Sequence, residues 1–243
     1  MRRDVQAVIL ILVGGAILRI AIGGEFVNYV KESMRPWLVI SGAILLLLGV
    51  LAVIDVIRSA RIHDEPEADP HDPVDADVHH HAHGPRSAWL LLLPVLAIFL
   101  IAPPALGAYA AARQTVNGTG PQTVHAPPLP PGDPAVISVT DYVNRAVWDD
   151  GLTLEGRTVQ LTGFVTPNPN GGWWLTRMYI SCCAADATAS KVVPVDAADL
   201  PANTWVTVTG TWAPGGGTMS DSAIPLLKIV SLKQVPQPAN PYE

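Results

Sequence analysis

Aliphatic runs ahead of residue 113 constrain this chain more than any other feature. Val5–Ile22 is apolar except for Gln6 and Arg19, Pro36–Ile57 is apolar until Asp55, and Ala88–Ala112 is apolar throughout. A helix rises about 1.5 Å per residue, so about 20 apolar residues cross the hydrocarbon core of a bilayer. The second run meets that length. The first is slightly short, and Arg19 lies near its end, where a long side chain can reach the interface. The third contains Pro94 and Pro103-Pro104, which mark a kink or the end of a span because lipid offers the freed backbone groups no water. Met1-Arg2-Arg3 before the first run also fits a signal peptide. Arg19 and the lack of a small-x-small cleavage pattern favour an uncleaved span. The expectation is a multi-pass protein of the cell membrane, embedded in lipid, with residues 1–57 forming two transmembrane helices and residues 88–112 a third.

The Lys/Arg bias sets the orientation. With the N-terminus inside, Arg2, Arg3, Arg58, Arg61 and Arg86 are cytoplasmic, and Lys31, Arg35 and Arg113 lie outside, five against three. Everything after residue 112 is then extracytoplasmic.

Residues 58–87 form an acidic, His-rich loop on the cytoplasmic side. It carries His63, His71, His79, His80, His81 and His83, six of the seven histidines in the chain, interleaved with seven acids from Asp64 to Asp77. Nothing in it can bury a core, so it is expected to be disordered without a ligand. The tract His79, His80, His81 and His83 places four imidazoles within five residues, a composition that captures zinc, nickel or copper without defining one tetrahedral site. The plainer reading is a solvated linker with incidental histidines.

The second half has the mixed composition of a soluble domain. Residues 113–135 are a Pro-rich linker, kept extended by Pro127, Pro128, Pro130 and Pro131. Residues 136–243 form the domain. A short helix is expected over Ser138–Asp150, with Ser138 as N-cap and Tyr142, Val143, Ala146 and Val147 as its core stripe. Strands follow at Thr158–Thr166, Trp173–Ser181, Lys191–Val195, Thr204–Trp212 and Ile224–Val235. The fold class is thus a helical membrane region joined to an all-β or α+β domain. Five short strands and one helix suggest an OB-like barrel, with a β-sandwich fragment as the other arrangement. Oligonucleotide binding does not follow from such a fold. Net charge is −6 and no basic block is present, which argues against a nucleic-acid partner.

The only cysteines, Cys182 and Cys183, are adjacent in Ile180-Ser181-Cys182-Cys183-Ala184-Ala185-Asp186-Ala187. Neighbouring residues on a strand face opposite ways, so both thiols meet one ligand only if the strand ends there. Ala184 to Ala187 suggests that it does. Three chemistries then compete. Cys182, Cys183 and Asp186 can ligate zinc or Cu(I). The two thiols can close a strained vicinal disulfide, a redox switch. A nucleophilic thiol is the weakest reading, since linker His125 is the only histidine in this half. Against all three stands a buried pair acting as small apolar residues. Arg177 precedes the pair; it lowers a thiol pKa only if the chain folds back, and otherwise reads as a surface arginine.

Leu161-Thr162-Gly163-Phe164-Val165, Leu175-Thr176-Arg177, the Cys-Cys-x-x-Asp string, Thr204–Gly210 and Pro238-Ala239-Asn240-Pro241-Tyr242-Glu243 together resemble the YcgQ-like family of predicted two-component permease subunits. The resemblance extends over nearly the whole chain: N-terminal spans, a His-rich loop, another span and a terminal domain. It implies a polytopic permease as partner and supplies no catalytic residue. The expected function is an accessory membrane subunit of a transport complex linked to zinc or another divalent metal. The alternatives are an extracytoplasmic thiol-redox protein using Cys182 and Cys183, and a structural membrane scaffold. An enzyme is not expected, and no phosphate-binding loop is present for ATP-driven transport.

Overall fold

The computed structural model describes residues 3–62, 104–114, 126–220 and 222–243. The chain divides into two compact units, one containing the N-terminal helices and the other Val27–Glu32 together with Pro104–Glu243.

In the first unit, α1 spans Arg3–Gly23 and α2 spans Arg35–Ile62. The apolar stretches Val5–Gly23 and Glu32–Ser59, 19 and 28 residues long, extend about 28 and 42 Å and are long and apolar enough to cross a membrane. The helices pack through small residues. A Cβ on Gly14 would lie 2.9 Å from both Gly42 O and Leu46 N, so only glycine permits this approach. Ala7, Ala16 and Ala21 are buried, while Ile22, Ile40, Ile44, Leu47, Leu48 and Leu51 are exposed. Small residues thus line the helix contact and large aliphatics face outward. Helix α2 continues beyond residue 57, so residues 58–62 at the head of the expected loop are helical. The rest of that loop, with His79, His80, His81 and His83, and residues 88–103 of the expected third span lie outside the described residues.

The end of that third run is placed differently from expectation. Ala108–Ala112 form a short helix, α3, whose Ala108 and Ala111 are buried against Phe164, Met178, Ile180 and Tyr242 of the second unit. Two small faces on one turn let the helix lie flat on an aromatic and Met surface, so residues 104–112 belong to the domain. The linker is likewise tied down at its end: Arg145 Nη1 donates to Pro127 O at 2.6 Å, and Arg157 Nη2 to Gly132 O at 2.9 Å.

The second unit is a mixed sheet with one amphipathic helix, α4 (Val139–Trp148). Ser138 caps it, its Oγ accepting from Asp141 N at 2.8 Å. The strands are β1 (Ala135–Val136), β2 (Thr158–Pro167), β3 (Trp173–Tyr179), β4 (Thr188–Val195), β5 (Trp205–Ala213) and β6 (Leu226–Gln234). Their order is β1-β2-β3-β4-β6-β5, and β5 also pairs with β2. The β1–β2 and β4–β6 pairs are parallel and the rest antiparallel. β1 is a strand beyond the five expected; two residues are too few to carry a periodic signal. Tyr142, Val143, Ala146 and Val147 of α4 form one core with Leu161, Leu175, Val192, Val206, Val208 and Leu227 of the sheet. Burying such side chains contributes about 1.5–3 kcal/mol each.

Candidate metal centre

β3 ends at Tyr179, and a single 3₁₀ turn, Ala184–Asp186, starts just beyond the two cysteines. The chain therefore leaves the sheet between Ile180 and Cys183, the break that two adjacent thiols need in order to face one point. Their Sγ atoms lie 3.5 Å apart, and both cysteines are free. One ligand atom from each of Cys182, Cys183 and Asp186 falls within 4.8 Å of the others, so the group could hold a metal ion. Cys182 is exposed and Cys183 is half-buried.

Asp186 builds the loop as well as facing it. Its Oδ1 accepts from Ser181 N at 2.9 Å, and its Oδ2 from Cys182 N at 2.8 Å and Cys183 N at 3.4 Å. The hydrogen bond from the Cys182 thiol, and after it these amide bonds, favour the ionised form and hold its pKa down at about 2. The same carboxylate, hydrogen-bonded to the Cys182 thiol, pushes that thiol up to about 12, with the Cys183 thiol adding to the effect. Without a cation, the centre holds its Cys182 proton.

The opposite side of the thiol loop is covered by the turn between the two long helices. Val30 and Cys183 form an isolated antiparallel bridge. Lys31 N donates to Cys182 O at 3.0 Å, and Ala184 N donates to Tyr29 O at 2.7 Å. Tyr242 OH, which accepts from Leu106 N at 2.9 Å, donates to Asn28 O at 3.1 Å. Tyr29, Val30 and Lys31 carry no sequence signal that could have assigned them here. They act through backbone atoms, which any residue but proline supplies in full.

Arg177 departs from its expected surface place. It is only 8% exposed, its Nη2 donates to Asn240 O at 2.7 Å, and its guanidinium lies 4.8 Å from the Trp205 ring. Its ionic neighbour is Glu243, at 4.0 Å. Burial lowers its pKa. Its partners are the C-terminal string and β5, and it does not set the charge of the thiols.

No curated protein and no solved structure matches the chain significantly. Family models do match: residues 5–119 correspond to the DUF1980 N-terminal domain and residues 146–243 to the DUF1980 C-terminal domain. Carrying both domains in order along most of its length, the chain belongs to the DUF1980 family.

Proposed function

We propose that the protein displays a zinc-binding thiolate centre on the outer face of the cell membrane, as an accessory subunit of a transport complex. The observation that carries the metal reading is the convergence of Cys182, Cys183 and Asp186 within 4.8 Å. With a zinc–sulfur bond of about 2.3 Å, two sulfurs 3.5 Å apart subtend about 100° at the ion, close to tetrahedral. A linear two-sulfur site would need about 4.6 Å at the same bond length. Three protein donors leave a fourth position open to water or an incoming ligand, as suits a centre that passes its ion on.

At Cys182 the electrostatics favour a metal over the redox and nucleophilic readings, because a bound ion itself supplies the positive charge that stabilises the thiolate. Both of those need a thiolate at neutral pH. Asp186 opposes it, raising the Cys182 thiol to about 12. A bound cation reverses the sign, because the carboxylate that repels a second negative charge attracts the ion.

Chain continuity supports this topology. Val27–Glu32 belongs to the same compact unit as Pro104–Glu243. With Val5–Gly23 and Glu32–Ser59 both crossing the bilayer, their connecting turn shares a face with the thiol domain. The Lys/Arg bias makes that face extracytoplasmic. The ring of pairings β2-β3-β4-β6-β5-β2, with its parallel β4–β6 step, supports an OB-type barrel for the domain. The permease partner rests on the resemblance to two-component permease subunits, and the exposed aliphatic face of α2 suits a lipid or helical neighbour.

Cobalt(II) titration of the full chain in detergent tests the centre, since thiolate-to-cobalt absorption reports sulfur ligation and ignores histidine sites. The band is expected in the natural protein and absent from Cys182→Ser/Cys183→Ser. A natural protein without the band contradicts the metal reading. Co-purification with a polytopic permease tests the subunit reading, and recovery of the chain alone from native membranes counts against it.

A further inference from the structure

The turn between the two long helices and the thiol loop are joined by one isolated antiparallel bridge. Lys31 N–H donates to Cys182 O at 3.0 Å and Ala184 N–H to Tyr29 O at 2.7 Å, flanking the Val30–Cys183 bridge. These bonds hold the two peptide units on either side of Cys183, so they fix the backbone from which both Sγ atoms project. On the other side, Asp186 holds the amides of Ser181, Cys182 and Cys183. The thiol loop is thus clamped between a carboxylate and the bridged segment Tyr29–Lys31, which lies in the connection from α1 to α2 between the 3₁₀ turns Glu25–Asn28 and Glu32–Met34.

We infer that this bridged segment is a latch on the metal centre: zinc binding and pairing of Tyr29–Lys31 with Cys182–Ala184 stabilise one another, so that occupancy of the centre is communicated to the turn joining the membrane helices. The inference rests on the metal reading of Cys182, Cys183 and Asp186. Its physical basis is that the paired conformation already has its sulfurs at a spacing that suits tetrahedral zinc. A loop released from this segment must be ordered before it can bind, and the ordering cost lowers its affinity. Linkage makes the effect reciprocal: whatever affinity the latch adds to zinc, zinc adds to the latch.

Lys31→Pro removes the donor to Cys182 O, whereas Lys31→Ala keeps it and removes only the side chain. Cobalt(II) titrations of both full-length variants, read through the thiolate band, are expected to give about fivefold weaker binding for Lys31→Pro, the equivalent of one net hydrogen bond. Lys31→Ala should bind as the natural protein does. Amide exchange of the natural protein supplies a second measure that needs no variant: the Lys31 and Ala184 amides should exchange more slowly with zinc than without it. Equal affinity for Lys31→Pro, or amide exchange unchanged by zinc, overturns the latch while leaving the metal centre intact. A natural protein that gives no thiolate band at all removes the metal reading beneath it.

Discussion

Replacing Asp186 by Asn tests the electrostatics of the centre in the most direct way. The carboxylate is the leading cause of the raised Cys182 thiol, which stands at about 12 against an ordinary 9.0. At pH 8 a thiol of pKa 12 is about 0.01% thiolate, whereas one of pKa 9 is about 10%, a rise of about a thousandfold. Intrinsic nucleophilicity falls with pKa with a Brønsted slope of about 0.4–0.5, so a drop of three pH units costs about twentyfold. The net ceiling is about a fiftyfold faster alkylation, and about tenfold is expected because Cys183 also contributes to the shift. The assay is iodoacetamide alkylation of Cys182 at pH 8, comparing Cys183→Ser with Cys183→Ser/Asp186→Asn in the full chain. Exchange of the Ala184 amide, bonded to Tyr29 O, reports whether the loop keeps its place. An alkylation rate unchanged or slowed by Asp186→Asn would refute the reasoning.

Other outcomes follow from the same geometry. Metal binding must displace thiol protons, so cobalt(II) affinity should rise with pH between 6 and 8, by about tenfold per pH unit for each proton displaced, as a pH series of titrations would measure. Asp186 has its folded pKa lowered from 3.8 to about 2, so its hold on the Cys182 amide is complete above pH 3.8 and lost as pH falls through about 2; amide exchange against pH reads this. Gly14→Ala should destabilise the α1–α2 hairpin by about 1–3 kcal/mol through overpacking. Gly15→Ala, whose Cβ meets nothing within 4 Å, should be near neutral, and denaturant unfolding in detergent compares the two. Tyr242→Phe removes the hydroxyl shared by Leu106 N and Asn28 O and should lower stability by about 1–2 kcal/mol, read as a lower Tm of the full chain.

The features legible in the sequence were those with a local periodic or chemical signature. The α4 stripe, its Ser138 cap and the alternation of Val206, Val208 and Gly210 each depend on near neighbours, and each element formed close to its expected bounds. The end of the strand before Cys182 was legible for the same reason, since Ala184 to Ala187 has no β-branched run. The covering of the thiol loop was not legible, because Tyr29 and Lys31 meet it through backbone atoms over a long sequence separation. Ala108 and Ala111 read as part of a span because alanine is equally at home in lipid and against Phe164. Arg177 reads as exposed in the sequence because its partners, Asn240 O and the Trp205 ring, come from a strand and a tail that only the tertiary fold brings near.

X-ray absorption at the zinc edge of the loaded full-length protein bears most directly on the proposed centre. Two sulfur scatterers at about 2.3 Å are expected, lost in Cys182→Ser/Cys183→Ser. A spectrum with only nitrogen and oxygen neighbours, unchanged by that double substitution, would contradict the account.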